Sequence, residues 1–194
     1  VFSFLNGLTT GRSSAQPECV DVSDLTARAR IRDAALRRFG ADGFAATPVR
    51  RIAADAKVSA ALVVHHFGSK QGLVEACDLY AMAFARNAHA HGKATDGGNA
   101  VLSYLARAMV ERAQDTASMF DEMVVATEQM LASNNARPVE DPKLRAAVLV
   151  SLELGGFALR AHLSRYLGMD AVSQDGFERI GQLVNEMVTQ GVFE

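Results

Sequence analysis

Residues 47–70 read TPVRRIAADAKVSAALVVHHFGSK. Thr47 and Pro48 together make a helix start, a capping hydroxyl followed by a residue whose φ is preset for the first helical position. The helix they open is short and ends near Ala56. Ser59 then caps a second short helix through His66, and Ser69 caps a long one. Two histidines and a lysine close a segment otherwise rich in alanine, leucine and valine, which suits neither a buried stretch nor a merely solvated one. In the second short helix, Val58, Val63 and Phe67 fall on the face that can pack against Leu36, Phe39 and Ile52. Ser59, Ala60, Ala61, Val64 and His65 are left pointing outward.

Two short helices joined by a tight turn form a helix-turn-helix, whose second helix can enter the major groove of DNA. Small outward side chains let that helix approach base edges closely. Alanine and valine methyls can touch thymine methyls, and His65 can hydrogen-bond. The two faces of one helix therefore have different surroundings, which accounts for its mixed composition.

The rest of the chain extends the helical pattern. Residues 1–23 are rich in Ser, Thr, Gly and Asn without a period and are expected to form a flexible arm. From Ser23 or Asp24, the stripe Leu25, Ala29, Ile31, Ala35, Leu36 and Phe39 predicts a helix ending near Gly40 to Gly43. The long helix from Ser69 carries Leu73, Cys77, Tyr80, Phe84 and Ala88 and is broken by HGKATDGGN at 91–99. Further helices are predicted from Asn99 to about Ala113, Ser118 to about Ser133, Asp141 to about Leu167, and from Ser173 onward. No alternating run argues for a strand, so the fold class is all-α. The domains expected are an arm at 1–23, a three-helix DNA-binding domain at 24–68, and a helical ligand-binding and dimerisation domain at 69–194.

Composition narrows the function. The 194 residues carry a net charge of −2, unevenly spread. Residues 24–91 hold ten Arg and Lys against six Asp and Glu, whereas residues 92–194 hold nine against fourteen. A basic module joined to an acidic one fits a nucleic-acid-facing part attached to a part that is not. Cys19 and Cys77 lie far apart without metal-type spacing, so neither a disulfide framework nor a zinc site is expected. Cys77 reads as a small buried hydrophobe. No catalytic residues, metal ligands or cofactor are predicted, because no nucleophile–base pair or metal cluster has recognisable spacing. No apolar run approaches the roughly 18 residues of a membrane span, and the opening VFSFLNGL lacks the basic residues of a secretory signal. No membrane partner is expected, and a reducing cytoplasm is the expected compartment.

The stretch RIRDAALRRFGADGFAATPVRRIAADAKVSAALVVHHFGSK, residues 30–70, resembles the TetR family of bacterial transcriptional repressors. Ile31, Ala34, Ala35, Phe39, Gly43, Thr47, Ile52, Ala53, Ala56, Val58, Ser59, His66, Phe67 and Lys70 follow the family's pattern. The resemblance implies that Thr47, His66 and Lys70 hold phosphates and that Arg50 contacts phosphate or base. Lys70 also stands at a helix start, where free N–H groups and the dipole favour an anion. Three positions depart from the pattern. Lys57 replaces the usual turn glycine, so either it adopts positive φ at a cost of roughly 1 kcal/mol or the turn differs. Val64 stands where tyrosine is common, and Gln71 where glutamate is frequent.

In ASMFDEMVVATEQMLAS, Met119, Phe120, Met123, Val124, Met130 and Leu131 share one face, and Asp121, Glu122, Glu128 and Gln129 the other. Methionine's adaptability suits a core or a promiscuous pocket wall. Glu153 is the single charge in the otherwise apolar AAVLVSLELGGFAL, and a lone buried carboxylate needs a partner or a task. Met119, Met123, Glu153, Phe157 and His162 are the residues expected to bind a largely apolar effector of unknown identity, cationic if Glu153 faces it. Gly155 and Gly156 allow close helix approach and, with Phe177, Ile180, Val184 and Met187, are expected to form a homodimer interface as a four-helix bundle. A ligand wedged beside the long helix would tilt it and change the spacing of two recognition helices on a palindromic DNA operator. The alternative is a helical adaptor that binds only protein.

Overall fold

The computed structural model describes residues 22–91, 98–134, 136–171, 173, 175, 176, 179, 180, 182, 183 and 186. Its continuous helices are α1 (Val22–Asp42), α2 (Val49–Asp55), α3 (Ala60–Phe67), α4 (Lys70–His91), α5 (Gly98–Glu111), α6 (Ala117–Ser133), α7 (Pro142–Ala158) and α8 (Arg160–Leu167). The described residues between Asp175 and Glu186 are also helical, and no strand occurs among the described residues. The chain is all-α, as its periodicity predicts. No single described helix is long and apolar enough to cross a membrane.

Two compact units share the chain. One comprises, of the described residues, 22–85 and 100–117; the other comprises 86–91, 98, 99 and the described residues from 118 onward. In the first, α1, α2 and α3 pack on one another. Ile31, Ala34, Ala35, Leu36 and Phe39 of α1, Ile52, Ala53 and Ala56 at α2, and Val63 of α3 are buried, as are Leu73 and Cys77 of α4 and Tyr104 and Leu105 of α5. Each large apolar side chain so buried stabilises the unit by roughly 1.5–3 kcal/mol relative to exposure. Phe39 stacks on Phe44 with ring centroids 5.0 Å apart, and Phe44 meets Tyr104 edge-on at 5.4 Å. Gly40 lets α5 come this close, since a Cβ there would stand 2.9 Å from the Tyr104 backbone nitrogen.

In the second unit, Met123, Val124, Thr127 and Leu131 of α6 are buried, as are Ala146, Val150, Leu154 and Phe157 of α7. On the methionine-rich face of α6, Met119, Phe120 and Met130 are half-buried beside the buried Met123, Val124 and Leu131, while Asp121, Glu122 and Gln129 are exposed. Arg86 and Glu122 form an ion pair.

Local chemistry sets most boundaries. Ser59 Oγ accepts from Leu62 N at 3.1 Å, Ser69 Oγ from Gly72 N at 3.0 Å, and Asp141 Oδ1 from Leu144 N at 2.8 Å, each satisfying a first-turn N–H. Two expectations are corrected. Helix α2 starts at Val49 with Pro48 at the cap position and no side-chain cap. Thr47 turns inward instead, and its hydroxyl donates to the Gly43 carbonyl at 2.7 Å. The single helix expected from Asp141 to Leu167 is also broken. It bends by 64° between α7 and α8, at Leu159, whose ψ is 8°. Gly155 and Gly156 weaken the preceding turn, each being about 1 kcal/mol less favourable than alanine in a helix.

Candidate nucleic-acid interface

The turn between α2 and α3 is closed by backbone bonds: Ala56 N donates to Ile52 O at 2.9 Å, Lys57 N to Ala54 O at 3.1 Å and Val58 N to Ala53 O at 3.0 Å. Lys57 adopts φ 56°, so the turn keeps its form and the lysine carries the left-handed conformation. Ala53, Ala56 and Val63 are buried where the two helices meet, which fixes the rotation of α3 about its axis. Val58 and Phe67 are half-buried on the same side.

That rotation exposes Ser59, Ala61, Val64 and His65, with Ala60 half-buried. Val64 is 50% exposed, which for a branched apolar residue leaves its methyls open to a partner. The outer face of α3 therefore offers methyl groups, one serine occupied in capping, and the His65 imidazole. His66 is half-buried, its ring 5.5 Å from that of His65 and 6.2 Å from that of Phe67. Arg50, in the first turn of α2, is exposed and makes no ion pair among the described residues. Its neighbour Arg51 lies 3.5 Å from Asp42, and Arg38 holds both Asp55 and Asp42. The Arg38 guanidinium keeps the Asp55 carboxyl below its usual range.

Two residues expected to hold phosphates make hydrogen bonds within the chain. Thr47 is fully buried and its hydroxyl donates to the Gly43 carbonyl, so in this structure it shapes the loop before α2. Lys70 is half-buried, with its ammonium donating to the Phe44 carbonyl. An ammonium has three donors, so this bond ties the start of α4 to the loop after α1 without using all of them.

Sequence reasoning missed the polar groups that hold this scaffold. Arg112 clasps Asp78 of α4 with Nη1 at 3.1 Å and Nη2 at 2.9 Å, while Tyr104 donates to Asp78 Oδ1 at 2.6 Å. Burial and the adjacent carboxylate push the Tyr104 phenol above its ordinary range, keeping it a donor. Glu111 accepts from Phe44 N at 2.9 Å. The one available signal was an aspartate beside the apolar stripe of α4. Among the described residues no cluster of His, Cys, Asp or Glu could hold a metal, and Cys77 is a buried thiol whose pKa burial raises.

Residues 31–77 match the family described as bacterial regulatory proteins, tetR family, and residues 98–194 match the tetracyclin repressor-like C-terminal domain. The chain belongs to the TetR family of transcriptional regulators. The HTH-type transcriptional regulatory protein RaaS of Mycobacterium tuberculosis is 35% identical to it over 154 residues, covering 71% of this chain and 72% of RaaS. Two solved TetR-fold structures show the same architecture. PfmR of Thermus thermophilus has a TM-score of 0.57 at 17% identity, covering 85% of this chain and all of its own. NalD, the secondary repressor of the MexAB-OprM multidrug efflux pump in Pseudomonas aeruginosa, has a TM-score of 0.50 at 17% identity, with coverage of 87% and 96%. TetR-family proteins bind DNA operators as dimers with small-molecule effectors.

The C-terminal unit of this TetR-family chain distributes the expected effector residues unevenly. Met123 and Phe157 are buried, Met119 and Glu153 half-buried, and the surroundings of Glu153 push its carboxyl up to about 7 by desolvation. His162 lies beyond the bend at Leu159 and is exposed. A surface groove of about 780 Å³ is lined by Glu140, Asp141, Leu144, Arg145, Val148 and Leu149. Of the expected dimer residues, Gly155 and Ile180 are half-buried and Gly156 exposed, while Phe177, Val184 and Met187 lie outside the described residues. Apart from their own helix, nothing among the described residues lies within 4 Å of where a Cβ would stand on Gly155 or Gly156.

Proposed function

We propose that this TetR-family regulator is a repressor that binds a palindromic operator as a homodimer, with α3 of each protomer in the major groove, and that a small molecule releases it. The observation that carries the reading is the outward face of α3. Ala61, Val64 and His65 are exposed while Val63 is buried, so the one polar group free for base contact in mid-helix stands among methyls. Arg50 and the remaining donors of Lys70 supply backbone contacts, and His66 a further one. Thr47 acts through the shape of its loop.

Dimerisation is supported by α7, whose exposed Leu144, Val148 and Leu152 recur every four residues as an apolar stripe opposite the buried one. Gly155 and Gly156 continue that helix with room for close approach. The effector we infer is a largely apolar, cationic molecule held in the C-terminal unit, where Met119, Met123 and Phe157 supply apolar contacts and Glu153 a carboxylate. Release follows if α4, whose residues fall into both units, carries the effector's preference to α3. The protein performs no catalysis in this reading and works in the cytoplasm, where its operator is. Incubating the full chain with a pool of random duplexes tests it. Retention of one palindromic motif with strong salt dependence supports the reading, and retention of no motif refutes it in favour of a protein-binding adaptor.

A further inference from the structure

Arg28 lies on α1 ahead of the residues that match the family's DNA-binding model, which begin at Ile31. It is exposed, and its guanidinium carbon stands 5.4 Å from the centroid of the Phe67 ring, the last residue of α3. One turn on, Arg32 stacks on Tyr80 at 3.6 Å, but Asp33 neutralises it at 2.7 Å. Arg28 makes no ion pair among the described residues. A guanidinium held over a ring face within about 6 Å is attracted to it while the N–H groups at its edge stay available. Holding the side chain in advance removes part of the ordering cost that a free surface arginine meets on binding. The result is a cation, outside any ion pair among the described residues, beside the C-terminal end of the helix whose outer face carries Val64 and His65.

We propose that Arg28 is a DNA-backbone contact that grips a phosphate flanking the bases read by α3, with Phe67 as the positioning residue that holds the guanidinium near its ring. The proposal rests on the reading of α3 as the recognition helix. A planar fork suits a phosphate, which accepts two parallel N–H bonds from it. The buried neighbours Ala27 and Ile31 anchor α1 on either side of Arg28, so the contact has a rigid base.

The test uses the full chain and the duplex motif it retains from a random pool, with binding followed by fluorescence anisotropy at several salt concentrations. Wild type, Arg28→Ala, Arg28→Lys and Phe67→Leu are compared on that duplex and on versions in which single phosphates are replaced by neutral methylphosphonates. Thermal melts of each variant set aside any change in folding. Arg28→Ala is expected to weaken binding about tenfold, to lower the salt slope by about one counterion per protomer, and to leave base preference unchanged. One methylphosphonate position in each half-site is expected to weaken wild type but not Arg28→Ala. Arg28→Lys is expected to restore the salt slope without full affinity, and Phe67→Leu to keep the slope with a smaller loss. Unchanged affinity and slope in Arg28→Ala, or a shift in base preference, overturns the phosphate contact alone. Wild-type protein that retains no motif overturns the recognition reading, and the contact with it.

Discussion

Asp78 and Arg112 face each other through two parallel hydrogen bonds of 2.9 and 3.1 Å, although 34 residues separate them in the chain. Tyr104 adds a third bond to the same carboxylate, and the Arg112 guanidinium lies 5.0 Å above the Phe44 ring. The side chains are only 15% and 18% exposed, so solvent screens them little. This network fastens α4 and the end of α5 to the aromatic cluster at the end of α1, the platform on which α2 and α3 sit.

Arg112→Ala should therefore cost about 2–3 kcal/mol in urea denaturation, because it strands a mostly buried carboxylate. Asp78→Asn, which keeps an acceptor for Tyr104, should cost less. A loss below about 0.5 kcal/mol for Arg112→Ala would place the pair among ordinary surface bridges.

Lys57 holds φ 56° in the turn before α3. Replacing it by glycine removes the Cβ strain but gives the unfolded chain more freedom, leaving a net stabilisation of about 0.5–1 kcal/mol. The comparison to make is Lys57→Gly against Lys57→Ala, since alanine keeps the strain. Equal stability of the two variants would contradict the argument.

The turns of the DNA-binding unit were legible in the sequence because short-range chemistry writes them: Ser59 and Ser69 cap as their spacing predicts, and Asp141 does the same in the C-terminal unit. The outward set on α3 was legible for a related reason, since burial of Val63 fixes the helix rotation. Thr47 was not legible, because its hydroxyl chooses between the following helix and the Gly43 carbonyl according to how the loop folds over Phe39. Nor was the Asp78–Arg112 clasp, which depends on a tertiary contact that no local period encodes. The exposure of His162 follows from the bend at Leu159, and helical periodicity carries straight through such a bend.

Glu153 carries a carboxyl raised to about 7 from an ordinary 4.5. Since the folded pKa lies above the unfolded one, its protonated form is fully accommodated below about pH 4.5, and stability is lost as pH rises through 7. Glu153→Gln should leave stability unchanged near pH 4.5 and raise it by on the order of 1–2 kcal/mol at pH 8, allowing for partial solvation. Denaturation midpoints at the two pH values check this. A Glu153→Gln effect that is equal at both would mean that desolvation of the carboxylate is not what sets its energy.

Lys70 joins the loop after α1 to the first turn of α4 through the Phe44 carbonyl. Lys70→Ala should lower stability by about 1 kcal/mol and weaken binding to every duplex alike, with the salt slope falling by about one counterion per protomer. Thermal melts and anisotropy on the selected motif and on an unrelated duplex measure both effects. A change in base preference would put Lys70 against a base instead of the backbone.

The central claim is that the outer face of α3 reads base edges, and His65 is the side chain on which it turns. Selection from random duplex DNA, run in parallel on wild type and His65→Ala, measures this directly. The account predicts that both retain the same palindromic motif except at one position of each half-site, where His65→Ala loses its preference at a cost of roughly 1–3 kcal/mol. An identical motif from both proteins, or equal weakening of every sequence by His65→Ala, would contradict it.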